Sequence, residues 1–166
     1  YTPLQSSFAI NNVALVKGRP RTLNLKDIIK VFVDFRHEVV VRRTKFDLEK
    51  AKKRAHILEG LIKAIDVIDE IIKIIRSSKT VDEAKMTLMT TFGFSDAQAT
   101  AIVEMKLRQL TGLEREKLQA EYSELEKFIA WCNDVLASPA MQMDIIKSET
   151  MELKAKYGDP RRSEIV

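Results

Sequence analysis

Glycine and proline are scarce, with five of one and four of the other in 166 residues. So few turn formers argue against a β-sandwich or any loop-rich fold. Cysteine occurs once, as Cys132, so no internal disulfide can form and a reducing compartment, the cytoplasm, is the simple expectation. No signal peptide and no apolar run of membrane-spanning length is present. The glycines are too sparse for a phosphate-cradling loop, and neither G-x-G-x-x-G nor G-K-[ST] occurs. His37 and His56 are the two histidines, and neither has a Cys or a carboxylate at metal-ligand spacing. Asp66, Asp69 and Glu70 read as the solvent face of an isoleucine-rich helix. Tyr122, Tyr157 and Cys132 fall on apolar seams, and Tyr1 opens the chain. Neither a catalytic constellation nor a metal site is expected. A chain that starts at Tyr rather than Met reads as a piece of a longer protein.

What the sequence does contain is helix. From Asn24 to about Ile75 there is no proline, and the first glycine is Gly60. Leu25, Ile28, Phe32, Phe35, Val39 and Phe46 recur in steps of three and four, which predicts an a/d seam for a partner helix. After Phe46 the seam resumes in a new phase at Leu48, Ala51, Ala55, Leu58, Ile62 and Ile65. At roughly 1.5 Å per residue, Leu25 to Leu58 spans on the order of 50 Å, and a rod of that length needs a helix alongside it. Leu118, Tyr122, Leu125, Ile129, Cys132 and Leu136 supply one. Ser138-Pro139 interrupts that seam and restarts a helix; Met143, Ile146, Thr150, Leu153 and Tyr157 continue it until Gly158-Asp159-Pro160.

Between the two runs, a broad apolar face from Leu61 to Ile75 predicts a helix packed on several sides, with a kink at Gly60. Thr80 to Glu83 and Ser95 to Gln98 read as capping boxes. Gly93 suits the residue after a helix. The helix opened by Ser95 is expected to run through Met105, Leu107 and Leu110 and to close at Thr111-Gly112. Residues 1–23 carry strand-type residues around the turn Lys17-Gly18-Arg19-Pro20.

The sequence therefore predicts a mainly α fold: a long antiparallel two-helix coiled-coil stalk, a small globular helical head, and a short β-hairpin remnant at the N-terminus. Its divisions are 1–23 (end of a preceding domain), 24–56 (outgoing helix), 57–112 (head), 113–160 (returning helices) and 161–166 (tail).

The net charge is +4. Between Arg36 and His56 lie eight basic residues (Arg36, Arg42, Arg43, Lys45, Lys50, Lys52, Lys53, Arg54) against Glu38, Asp47 and Glu49. This stretch carries the whole excess, and it is either a solvated helix face or a surface for a polyanion. A second feature is Met105 to Leu113, where apolar and basic residues alternate across a tight turn, as in ordinary core or in a patch at a two-fold contact.

Several stretches resemble one family. They are Tyr1-Thr2-Pro3-Leu4-Gln5-Ser6-Ser7-Phe8, Val13 to Val16, Arg36-His37-Glu38-Val39-Val40 with Arg42-Arg43-Thr44, and Ala55-His56-Ile57-Leu58-Glu59-Gly60-Leu61. Leu107-Arg108-Gln109-Leu110-Thr111-Gly112-Leu113-Glu114 and Lys156-Tyr157-Gly158-Asp159 with Arg161-Arg162 complete the set. Together they resemble the A subunits of bacterial DNA gyrase, with the related subunit of topoisomerase IV second, over the whole chain and in order.

The resemblance implies a coiled-coil segment ending in the C-gate, where two A subunits meet and a transported duplex leaves. It implies an ATP-dependent type IIA topoisomerase that introduces negative supercoils. The implied partners are a second copy of the chain, the DNA gyrase B subunit in an A2B2 assembly, and transient, non-specific double-stranded DNA, with no membrane, in the bacterial cytoplasm with the nucleoid. No cofactor is expected in this segment; Mg and ATP are implied through the B subunit. The family's nucleophilic tyrosine lies upstream in a motif absent here, so the segment alone is expected to cleave nothing. On this reading Ile57, Leu61, Met105, Leu107, Leu110 and Leu113 form the dimer patch. Arg36, Arg42, Arg43, Lys45, Lys50, Lys53 and Arg54 line the DNA cavity. The competing readings are a helical nucleic-acid-binding arm and a coiled-coil adaptor.

Overall fold

The computed structural model describes residues 7, 9–106 and 112–162. An antiparallel ribbon of β1 (Val13–Val16) and β2 (Arg19–Thr22) precedes α1 (Leu25–Asp66), α2 (Ile68–Ser77), α3 (Val81–Phe92), α4 (Asp96–Val103), α5 (Gly112–Ala137) and α6 (Pro139–Tyr157). The chain is mainly α, with the expected N-terminal hairpin. It divides into two compact units, residues 1–43 with 139–166 and residues 44–138.

In the first unit the ribbon turns at Lys17-Gly18, both with positive φ (51° and 77°), the geometry of a two-residue hairpin turn. Leu23 N–H donates to the Asn12 carbonyl at 2.8 Å and extends the ladder. Asn24 then caps α1, its Oδ1 accepting from Asp27 N–H at 2.8 Å.

The seam predicted on the first part of α1 is not the packed one. Leu25, Phe32 and Phe35 are 71%, 52% and 56% exposed, whereas Val40 is wholly buried. On α6, Gln142 and Ile146 are buried, while Met143, Leu153 and Tyr157 are exposed. The reason is that polar groups fix this contact. His37 Nε2 meets Gln142 Oε1 at 2.6 Å, and Arg36 and Arg43 both hold Glu149. A seam read from apolar spacing alone cannot detect such a register.

In the second unit the later seam is the packed one: Leu48, Ala51, Ala55 and Leu58 are buried. α5 runs antiparallel to this part of α1, because Arg54 bonds Glu121 and the later Asp66 bonds the earlier Arg115. On α5 Leu118, Tyr122, Leu125 and Ile129 are half-buried and Cys132 fully buried, with Val135 beside it. Phe128 and Trp131 stack on the α5 surface with centroids 5.7 Å apart.

α1 is not interrupted at Gly60. It runs on to Asp66 and breaks at Val67, whose φ and ψ are −117° and 30°. Val67 is β-branched and lowers local helix propensity, and Asp69 and Glu70 favour a new N-terminus just beyond it. The break gathers more of the apolar run into the core than one straight helix could. Leu58, Leu61, Ala64, Ile71, Leu88, Phe94, Ala99 and Ile102 form that core, and Leu118, Tyr122 and Leu125 of α5 pack against it. α5 is thereby tied to the short helices within the unit of residues 44–138.

Gly60 instead permits close approach: a Cβ there would lie 2.6 Å from Gln98 Cγ. Gly93 caps α3 in the left-handed region (φ 69°), as its position predicted. Ser95 and Gln98 make the full reciprocal capping box. At Thr80 only half of the box forms, since the Glu83 carboxylate accepts from Lys79 N–H at 2.9 Å. α4 stops at Val103, where Met105 N–H takes the Ile102 carbonyl at 3.2 Å and tightens the last turn. Gly112 begins α5 instead of closing α4.

Candidate functional site

The candidate cations all sit on α1, whose packed stripe in the second unit is Thr44, Leu48, Ala51, Ala55 and Leu58. At about 100° per residue, Lys53 lies nearly opposite that stripe, with Lys45 and Lys50 to either side. The structure sorts the seven candidates into two groups. Glu149, a half-buried carboxylate, takes Arg36 and Arg43 together, Arg43 at 2.6 Å. Hydrogen bonding from Arg43, with Arg36 adding to it, holds the Glu149 carboxyl below its usual range. Arg54 forks Glu121 through Nε (2.7 Å) and a terminal nitrogen (2.9 Å), and the hydrogen bond to Glu121 raises its pKa.

Three of the seven cations are therefore engaged inside the chain. Arg42, Lys45, Lys50 and Lys53 are exposed and make no ion pair among the described residues. Phe46, between them on the same helix, is 66% exposed. The charge count could not separate the groups, because the partners lie 67 to 113 residues away.

Of the candidate contact patch, Leu61 belongs to the core and is 8% exposed, and Ile57 and Met105 are half-buried against that core. Leu113, in the first turn of α5, is 65% exposed. Leu107 and Leu110 lie outside the described residues.

One polar cluster escaped the sequence reading. His56 Nε2 lies 2.7 Å from Ser95 Oγ, the contact of a nucleophile and its base. The surrounding bonds give it another role. Ser95 N–H donates to Gln98 Oε1 at 3.0 Å, which fixes the Gln98 amide so that its nitrogen faces His56. That nitrogen donates to the His56 carbonyl at 2.8 Å and approaches Nδ1 at 3.4 Å. The Ser95 hydroxyl oxygen also accepts from Gln98 N–H at 3.3 Å, so it is committed to the cap of α4. Residues 39 and 42 apart in sequence build a clasp between α1 and α4, not a catalytic dyad.

Burial and the neighbouring Glu126 raise the Tyr122 phenol, the wrong direction for an activated nucleophile. Burial, with Asp47 nearby, raises the Cys132 thiol, which makes it inert. Among the described residues no group of three or more His, Cys, Asp or Glu could hold a metal ion. No described helix is long and apolar enough to cross a membrane.

Comparison with known proteins adds a wider frame. Residues 1–151 match the family of DNA gyrase/topoisomerase IV A subunits. The chain is 54% identical over 165 residues to the DNA gyrase A subunit of Clostridium acetobutylicum, covering 99% of this chain and 20% of that protein. It is 50% identical over 166 residues to the DNA gyrase A subunit of Brachyspira hyodysenteriae, covering 100% and 20%. It is 49% identical over 165 residues to that of Streptococcus pneumoniae, covering 99% and 20%. The chain thus spans about a fifth of the length of these relatives.

Proposed function

Because the chain belongs to the family of DNA gyrase/topoisomerase IV A subunits, we propose that it is the C-gate segment of a gyrase A subunit. The parent enzyme on this reading is an ATP-dependent type II topoisomerase of the bacterial cytoplasm. It passes one duplex through another and introduces negative supercoils. Two copies meet at the head, and the gyrase B subunit joins them in an A2B2 assembly. Mg and ATP enter through that B subunit.

The observation that carries the reading is the exposure of Leu113, in the first turn of α5, with Met105 half-buried against the core. These two flank the Leu107 to Leu110 stretch, between the short helices and α5. On this reading the apolar residues of that stretch meet those of a second copy. A gate that opens once per cycle calls for a contact of modest area instead of a fused core. The patch on this reading is Ile57, Leu61, Met105, Leu107, Leu110 and Leu113.

The unpaired Arg42, Lys45, Lys50 and Lys53 supply salt-sensitive, sequence-independent attraction for the passing duplex. Arg36, Arg43 and Arg54 serve the fold first. Sedimentation of the chain at tens of micromolar tests the first half: a dimer that Leu113→Asp converts to monomer is expected, and a wild-type monomer would refute the gate. For the second half, reversing Arg42, Lys45, Lys50 and Lys53 should slow strand passage by the assembled enzyme, and an unchanged rate would leave these residues a solubilising role only.

A further inference from the structure

The ribbon carries a second cationic surface. No Asp or Glu precedes Asp27 in the sequence, so the hairpin is free of carboxylates. Lys17 stands in the turn, and Arg19 and Arg21 follow on β2, every residue of which is exposed. The register sets Arg19 opposite Val16 and Arg21 opposite Ala14. Two residues apart on one strand, the arginines share a face of the ribbon and stand about 7 Å apart. That is close to the separation of neighbouring phosphates on one DNA strand. With Val16, the three cations line an open cleft of about 450 Å³. None of the three forms an ion pair among the described residues. Asp34 and Glu38 on α1 line an adjoining cleft, which includes Val16 and Lys17 but neither arginine.

Two local features point the same way. Lys17 holds φ at 51°, which costs a non-glycine residue on the order of 1 kcal/mol, where Asn or Gly is the usual choice. The tip keeps an ammonium group at that cost. Pro20 separates the arginines. The Val16–Arg19 pair closes the turn, so Leu15–Pro20 falls at the next, non-hydrogen-bonded position and the Pro20 nitrogen faces the outer edge of β2. An edge without that N–H resists the addition of another strand there. Charge is what this strand offers.

We propose that Lys17, Arg19 and Arg21 form a phosphate-backbone contact for duplex DNA, separate from the cations of α1. The proposal rests on the family reading above. The guanidinium forks match phosphate oxygens bidentately, and the hairpin contributes affinity without sequence preference.

The test measures binding of the 166-residue chain to a short fluorescent duplex between about 50 and 200 mM salt. Removing one phosphate-binding cation should make the plot of log affinity against log salt shallower by about 0.9, so the triple Lys17→Ser, Arg19→Ser, Arg21→Ser variant should lose roughly 2 to 3 units of slope. Arg19→Lys with Arg21→Lys should keep the slope, because the charge remains. If the triple variant does not fold, Arg19→Ser and Arg21→Ser alone should each remove about 0.9. A triple variant that keeps the wild-type slope, while reversal of Arg42, Lys45, Lys50 and Lys53 lowers it, overturns the hairpin contact and leaves the family reading intact. Absence of DNA binding by the wild-type chain at the lowest salt overturns both the hairpin contact and the DNA contact proposed for the α1 cations.

Discussion

Replacing Gly60 with Ala puts the α1–α4 contact to a quantitative test. Inside an ordinary helix this change gains roughly 1 kcal/mol, because alanine loses less backbone freedom than glycine. Here the new methyl would sit 2.6 Å from Gln98 Cγ and 2.9 Å from both Gln98 Cβ and Cδ. These atoms cannot swing aside freely, since Gln98 is 6% exposed and its amide is held by Ser95 N–H and the His56 carbonyl at 3.0 and 2.8 Å. Overpacking of this kind costs about 1–3 kcal/mol, and losing those two hydrogen bonds adds about 1 kcal/mol each. Offset by the propensity gain, Gly60→Ala should destabilise the chain by about 2–4 kcal/mol. Urea denaturation reads this directly. Gln98→Ala in the same background relieves two of the three close approaches, so the double variant should be less destabilised than the sum of the singles, by about 1–3 kcal/mol. A Gly60→Ala protein as stable as wild type, or additive behaviour in the double variant, would refute the close-approach explanation of this glycine.

Two further predictions concern single side chains. Glu149 has its carboxyl pKa lowered in the folded chain by Arg43 and Arg36. Its contribution is therefore fully present above the unfolded value of about 4.3 and is lost as pH falls through the lower folded value. Glu149→Gln should cost about 1 kcal/mol at neutral pH, the partial exposure of the pairs having discounted it. The gap from wild type in pH-dependent melts should close below about pH 4, and a gap unchanged at lower pH would refute the assignment. The Cys132 thiol is buried and its pKa raised, so a disulfide reagent should modify it only at the rate of unfolding. Fast modification under native conditions would show that the α1–α5 seam opens.

Legibility in the sequence followed the range of the forces involved. Caps at Asn24, Ser95 and Gly93 were readable because donor and acceptor stand within a few residues of each other. Leu48, Ala51, Ala55 and Leu58 were readable because apolar burial alone sets that seam. Ahead of them, Phe32 and Phe35 gave an equally good periodicity that the fold does not use; there Gln142 and Glu149 fix the contact from more than 100 residues away. The break at Val67 carries no glycine or proline to announce it, and its local signals, a β-branched residue followed by Asp69 and Glu70, are too common to mark a helix end. At the site, position was legible and availability was not. The sequence located every cation on α1, but only the structure shows that Arg36, Arg43 and Arg54 are already engaged. The clasp of His56, Ser95 and Gln98 was invisible for the same reason.

Trp131 is the single tryptophan in the chain. It lies on α5, 44% exposed and stacked on Phe128, inside the unit formed by residues 44–138. Its emission is thus an optical reporter for that unit alone, whereas far-ultraviolet dichroism sums the helices of both. Melting curves from the two signals would coincide if the units unfold as one cooperative body, and would separate by as much as their stabilities differ. No label needs to be introduced.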